Sequence, residues 1–186
     1  MRYIGLLRAV NVGGKNTIPM ADLRSALQDI ELDHVRTYIQ SGNMVFDSDL
    51  TEDAVQDRIE HQIQQRFGFH IDVILRTVTE FDRLIADLPF AGASEPASSA
   101  SSPVGVSVAF LNEPPDPDAV AALDRYPSPG EQYRVVSRNV YLLLPNGTAR
   151  SKLVAQVQKL GPRVTVRNWK TVQKLQAMAA ADQNDA

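Results

Sequence analysis

Val35-Arg36-Thr37-Tyr38-Ile39-Gln40-Ser41-Gly42-Asn43-Met44-Val45-Phe46 is the stretch on which the fold turns. Two runs rich in β-branched and aromatic residues flank a Gln-Ser-Gly-Asn turn, which is the pattern of a β-hairpin. One helix and one further strand lie outward from it on each side. Toward the N-terminus, Pro19 suits a first helical position, and Met20, Leu23, Leu27 and Ile30 follow at helical spacing behind an apolar strand at 2–7. Toward the C-terminus, Thr51 reads as a helix cap with Glu52 and Asp53 in the first turn, where carboxylates favour the dipole. Val55, Ile59, Ile63 and Phe67 mark that helix's apolar stripe, and 71–75 is a strand. Thr79 reads as the cap of a trailing helix bearing Phe81, Leu84, Ile85 and Leu88. The order βαββαβ is that of a split βαβ, ferredoxin-like unit.

The same order recurs after residues 91–103, a run of Ala, Ser, Gly and Pro whose composition suits a flexible linker. A strand at 104–111 is followed by Asp116 and Pro117 opening a short helix, and 133–136 and 140–144 form a second hairpin. Ser151 caps a helix stopped by Gly161-Pro162, 164–166 is a strand, and Asn168 caps a last helix. The expected fold class is α+β: two ferredoxin-like βαββαβ halves in tandem, an internal duplication, with antiparallel sheets and helices on one face. The expected division is 1–90 for the first half, 91–103 for the linker, 104–181 for the second half and 182–186 for a tail.

A chain of 186 residues with 44% hydrophobic content can bury a substantial core. Without cysteine it has no disulfide, thiolate nucleophile or cysteine metal site. Arg8 interrupts the N-terminal apolar run, no run approaches the ~18 residues that span a bilayer, and a cytoplasmic protein without membrane attachment is expected. The net charge of −3 is unevenly spread: nine Lys/Arg stand against fourteen Asp/Glu in 1–90, and ten against eight in 91–186. Residues 132–181 hold nine basic side chains and no acidic one. Such a field attracts phosphate-bearing partners, and it is equally the composition of a solvated basic face.

Candidate anion-binding residues follow from loop chemistry. Gly13 and Gly14 can turn their N–H groups into a concave nest, flanked by the cations Arg8 and Lys15 and the neutral donors Asn11 and Asn16. Ser41 and Asn43 add polar groups at the hairpin turn. Arg150, Ser151 and Lys152 enter a helix, and Arg167, Asn168 and Trp169 enter another, with an indole that could stack on a base. The opposing reading makes Ser151 and Asn168 caps only and Trp169 core. Taking the first and third strands as parallel, the loop at 8–18 and the turn at 47–51 share one edge. The hairpin turn at 40–43 and Arg76 then share the other, roughly 20 Å away.

Other motifs fail. Ala9 holds the place of the glycine that a P-loop ending at Lys15 requires, no G-x-G-x-x-G or G-x-S-x-G occurs, and His34, His61 and His70 lack metal-ligand spacing. No metal site, cofactor or catalytic residue is implied. Segments 8–16, 38–43, 147–153 and 165–172 resemble the hallmark segments of the bacterial domain of unknown function 1697 family. Ala9 departs from its usual glycine and Val166 from a common threonine. The resemblance implies a cytoplasmic α+β protein of ferredoxin-like halves and carries no activity with it. The leading expectation is a protein binding an anionic, phosphate-bearing ligand, either a small molecule such as a nucleotide or a nucleic acid. The alternatives are an enzyme on a small phosphorylated or carboxylated metabolite and a non-catalytic scaffold. The sequence sets no oligomeric state.

Overall fold

The apolar stripes at helical spacing become helices laid over one face of each of two four-stranded sheets, in a computed structural model that describes residues 1–90 and 105–181. In the first sheet, β1 (Arg2–Leu7), β2 (Asp33–Tyr38), β3 (Asn43–Asp47) and β4 (Val73–Thr77) take the order β2-β3-β1-β4. α1 (Met20–Gln28) and α2 (Glu52–Phe67) are its crossovers, and α3 (Val78–Ala86) follows β4. The second sheet repeats this as β6 (Gln132–Val136), β7 (Asn139–Leu143), β5 (Val106–Leu111) and β8 (Val164–Asn168), with α4 (Pro117–Ala121), α5 (Lys152–Val157) and a following α6 (Trp169–Ala180). The expected linker at 91–103 and tail at 182–186 lie outside the described residues.

The duplication extends to register. Ile4 stands opposite Arg76 as Val108 stands opposite Arg167, and Leu6 opposite Asn43 as Phe110 opposite Asn139. Leu7 N–H donates to the Gly42 carbonyl at 2.8 Å, and Leu111 N–H donates to the Arg138 carbonyl at 2.9 Å. The hairpins differ in length, 39–42 in the first half against Ser137 and Arg138 in the second.

Every neighbouring pair of strands is antiparallel, including β1 with β3. This corrects the expected edges. A crossover helix returns β2 parallel to β1, and the hairpin then reverses direction, so β3 enters between them antiparallel to both. The hairpin turn therefore lies where β1 ends, beside loop 8–18, and Arg76 and the turn at 47–51 lie at the opposite edge.

Tyr3, Leu7, Met44, Phe46, Val73 and Leu75 on the helix-facing side of the first sheet pack against Leu23 and Leu27 of α1 and Val55, Ile59 and Ile63 of α2. Truncating one of them, for example Leu27→Ala, costs about 2–5 kcal/mol. In the second sheet Ala109, Leu111, Val140, Leu142 and Val164 meet Leu153, Val154 and Val157 of α5. Two compact units result: Met1–Arg83 with the described residues from Lys174 onward, and Leu84–Gln173. The first unit thus includes the end of α6, whose Met178 and Ala179 carbonyls accept from the Arg36 and Arg2 guanidiniums. The second includes the end of α3, whose Leu84 carbonyl accepts from the buried Tyr141 hydroxyl at 2.8 Å.

Helix starts follow local chemistry. Asp116 caps α4 and Ser151 caps α5 through backbone N–H groups. Thr51 occupies the N-cap of α2 without a side-chain bond. Thr79 lies inside α3 rather than capping it. The cap is Thr77, whose N–H donates to Glu80 Oε2 at 2.8 Å while its Oγ1 accepts the Glu80 N–H at 3.3 Å, a reciprocal capping box.

Candidate functional site at the end of the first strand

Loop 8–18 leaves β1 and folds back on itself. Lys15 N–H donates to the Val12 carbonyl and Asn11 N–H to the Asn16 carbonyl, both at 3.1 Å, which makes a two-rung hairpin. Its central residues Gly13 and Gly14 have φ of 60° and 73°, the two positive values that a type I′ turn requires. The glycine pair therefore forms the tip of a type I′ turn. A Cβ added at either glycine would meet nothing within 4 Å beyond its chain neighbours. Among the described residues their N–H groups donate no hydrogen bond, and both glycines are exposed.

Asn11 ties this turn down. Its Nδ2 donates to the Ile18 carbonyl at 2.9 Å and the Gln40 carbonyl at 2.7 Å, and its Oδ1 accepts the Ile18 N–H at 2.8 Å. The side chain holds the loop rather than offering itself to a ligand. Asn43 plays the matching part in the hairpin: fully buried, it donates to Tyr38 O at 3.0 Å and Ser41 Oγ at 2.9 Å.

The backbone here is strained. Ala9, Asn11, Asn16 and Ile39 all carry positive φ, and for the β-branched Ile39, at 49°, that is a genuine outlier. Strain of this kind collects at functional loops. Ile39 is 50% exposed and Val12 64%. Arg8, still exposed, pairs with Asp72 at 3.0 Å, and His70 approaches the same carboxylate at 3.2 Å. Lys15 is exposed and makes no ion pair among the described residues. Gln40, His70 and Asp72 are not among the sequence candidates. The antiparallel pairing of β1 with β3 brings Gln40 to this edge, and the antiparallel pairing of β1 with β4 brings the residues before Val73 there.

The second unit gathers its candidates at the other end of its sheet. Leu143 pairs with Val106 and Asn168 with Ser107, so loop 144–151 and the start of α6 share the edge where β5 begins. Arg150 and Lys152 are exposed there. Ser151 accepts from Val154 N–H at 3.2 Å and Asn168 from Thr171 N–H at 2.8 Å, both as helix caps. Trp169 is 2% exposed and belongs to the core, so its indole presents no stacking face. Arg167 is buried, with its Nη1 donating to Thr165 Oγ1 at 2.7 Å and to the Val166 carbonyl at 3.0 Å. Burial lowers its pKa to about 10, which leaves it charged at neutral pH.

A family model described as a protein of unknown function, DUF1697, matches residues 1–141. The chain belongs to the DUF1697 family. The DUF1697 match includes segments 8–16 and 38–43, the two that meet at the β1 edge, and ends before 147–153 and 165–172. The fold is similar to that of the conserved bacterial protein SP0830 from Streptococcus pneumoniae, at 25% identity and a TM-score of 0.75 over 96% of this chain and 98% of that one. No curated protein matches this DUF1697 chain. Among its described residues no helix is long and apolar enough to cross a membrane.

Proposed function

We propose that this protein binds a phosphate-bearing ligand, a nucleotide or nucleic acid, at the edge where β1 ends. One observation carries the reading. The Asn11 carboxamide gathers the Lys15 turn, the hairpin loop at Gln40 and the lead-in to α1 at Ile18 into one place. α1 starts behind Pro19, which has no side-chain cap to offer, and Asp22 is the acidic residue of its first turn. The first-turn N–H groups and the positive end of the helix dipole thus stand behind a loop bearing Lys15 and Arg8. An anion placed there meets a lysine, an arginine and backbone donors. The exposed Val12 and Ile39 offer apolar contact to the remainder of the ligand.

The test is thermal melting of the full chain with inorganic phosphate, nucleoside mono-, di- and triphosphates, and short DNA and RNA oligonucleotides, each at low and high salt. A ligand bound only by the folded state raises the melting temperature. Polyanion binding falls steeply with salt, whereas a single-phosphate ligand is less sensitive. If none of these compounds moves the melting temperature at low salt, the reading fails.

A further inference from the structure

The two units treat their outer hairpin strands differently. Arg36 stands opposite Val45 and Val45 opposite Ile4, as Arg134 stands opposite Tyr141 and Tyr141 opposite Val108, so Arg36 and Arg134 are counterparts in the duplication. In the first unit the edge is closed. β2 slips register between Asp33 and Arg36, His34 has φ of 50°, and the Arg36 guanidinium donates to the Met178 carbonyl near the end of α6. A bulge of this kind is an ordinary protection of a sheet edge. In the second unit β6 pairs with β7 over its 5 residues without a register shift. Arg134 is exposed, and its side chain makes no hydrogen bond or ion pair among the described residues.

The open edge has a defined pattern. The two-residue turn at Ser137 and Arg138 closes on Val136 and Asn139, so Gln132, Arg134 and Val136 turn their backbone groups toward β7. The N–H and C=O groups of Tyr133 and Val135 point away from it, and β6 is the last strand of its sheet. An added strand would pair with those groups, and its side chains would alternate between two environments. On the helix-covered face Tyr133 and Val135 pack half-buried against the core with Val120, and Asp124 Oδ1 accepts from the Tyr133 hydroxyl at 2.6 Å. On the other face stands Arg134, in a stretch that holds no acidic side chain from 132 to 173. The first face calls for apolar side chains and the second for a carboxylate.

We propose that β6 is a docking edge for an extended peptide of alternating acidic and apolar residues, which adds to the sheet as a fifth strand with a carboxylate opposite Arg134 and apolar side chains beside Tyr133 and Val135. The β6 strand of a second copy is a poorer match. A two-fold axis through an antiparallel pair sets residues of the same face opposite one another, and Gln132, Arg134 and Val136 include no carboxylate. Centred on Arg134, such a pair would bring two guanidiniums together. The edge lies in the second unit, so it stands or falls separately from phosphate binding at β1.

The experiment is NMR titration of the full chain with an acetylated, amidated Val-Glu-Val-Glu-Val-Glu peptide and its Val-Lys-Val-Lys-Val-Lys counterpart, with hydrogen exchange read at the same amides. The acidic peptide should shift the Tyr133 and Val135 amides and slow their exchange, and the basic peptide should bind about tenfold more weakly or worse. Arg134→Glu, at an exposed position, should leave the melting temperature unchanged, weaken the acidic peptide by about tenfold and reverse the preference. Val135→Pro removes an outward N–H without taking a bond from the ladder to β7, and should abolish binding of both peptides. Should Val135→Pro not fold, Arg134→Glu decides alone. Unmoved Tyr133 and Val135 amides at millimolar acidic peptide overturn the proposal. So does equal binding of the two peptides, or unchanged affinity in folded Arg134→Glu. A dimer by sedimentation whose Tyr133 and Val135 amides are protected without peptide would overturn it too, by giving the edge to a second copy.

Discussion

Asn11 Nδ2 lies 2.7 Å from the Gln40 carbonyl, a bond across 29 residues that fixes the loop after β1 to the hairpin beyond it. With its two bonds to Ile18, the side chain makes three hydrogen bonds from one left-handed residue, at φ 54°. Asn11→Gly keeps the backbone permissible and removes all three, so it should lower stability by roughly 2 kcal/mol. Asn11→Asp should cost more, because a carboxylate would face two carbonyls. Urea unfolding midpoints decide it. A loss under about 0.5 kcal/mol for both would mean that the loop holds itself without Asn11.

Two glycines with similar φ should behave differently. Gly14 has φ 73° and open space where an added methyl would stand, so Gly14→Ala carries only the left-handed penalty, about 1 kcal/mol, and Gly14→Asn less. Gly42 has φ 71°, and a Cβ there would come within 2.5 Å of Val10 Cγ1 and 2.6 Å of Leu7 Cβ. Gly42→Ala should therefore cost about 3 kcal/mol or more. Equal losses would show that the loop shifts to make room.

Acid should act through Asp47. The hydrogen-bonded Arg2 guanidinium, at 2.8 Å to each carboxylate oxygen, is the main influence holding its pKa below the ordinary value, with His34 helping and partial burial opposing. A carboxyl whose folded pKa lies below its unfolded value stabilises the fold at pH above the unfolded value. That contribution is lost as pH falls through the folded one. Asp47→Asn should therefore destabilise the protein at neutral pH and flatten the decline of its melting temperature below about pH 4. Parallel wild-type and variant profiles over that range would remove Asp47 from acid sensitivity.

Much of the fold was legible because it depends on short-range pattern. Met20, Leu23 and Leu27, and Val55, Ile59 and Ile63, announce their buried helix faces by spacing alone, and all six are buried. The caps at Asp116, Ser151 and Asn168 also read directly, since capping is a contact within three residues. The correspondence of Asn43 with Asn139 was not legible, because the first hairpin loop is longer and shifts the alignment between them. Neither was the work of Asn11, whose partner Gln40 becomes a neighbour only once strand directions are known. A Gly-Gly pair announces positive φ but not its use, and here the use is a type I′ turn. Trp169 and Arg167 followed charged or aromatic character toward the surface, whereas the register of β8 turns Arg167 into a buried row and the indole of α6 into the core.

Lys15 is the cleanest probe of the β1 edge. It is exposed and without an ion pair among the described residues, so Lys15→Ala should change stability by less than about 0.5 kcal/mol. If phosphate binds there, the same substitution should weaken binding by about 1–3 kcal/mol, the range for a charge-assisted hydrogen bond. Asp72 provides a control of opposite sign. Its carboxylate holds the Arg8 guanidinium at 3.0 Å in a partly exposed pair, and such pairs add little to folding. Asp72→Asn removes negative charge beside the site and releases Arg8 toward the ligand, so phosphate affinity should rise while Lys15→Ala lowers it. A folding defect lowers affinity in either variant and cannot raise it in one. Opposite shifts, read by titration of both folded variants with the same nucleotide, would place the anion between Lys15 and Arg8. Unchanged affinity in both would move the phosphate site to another surface, with the exposed Arg150 and Lys152 the next to substitute.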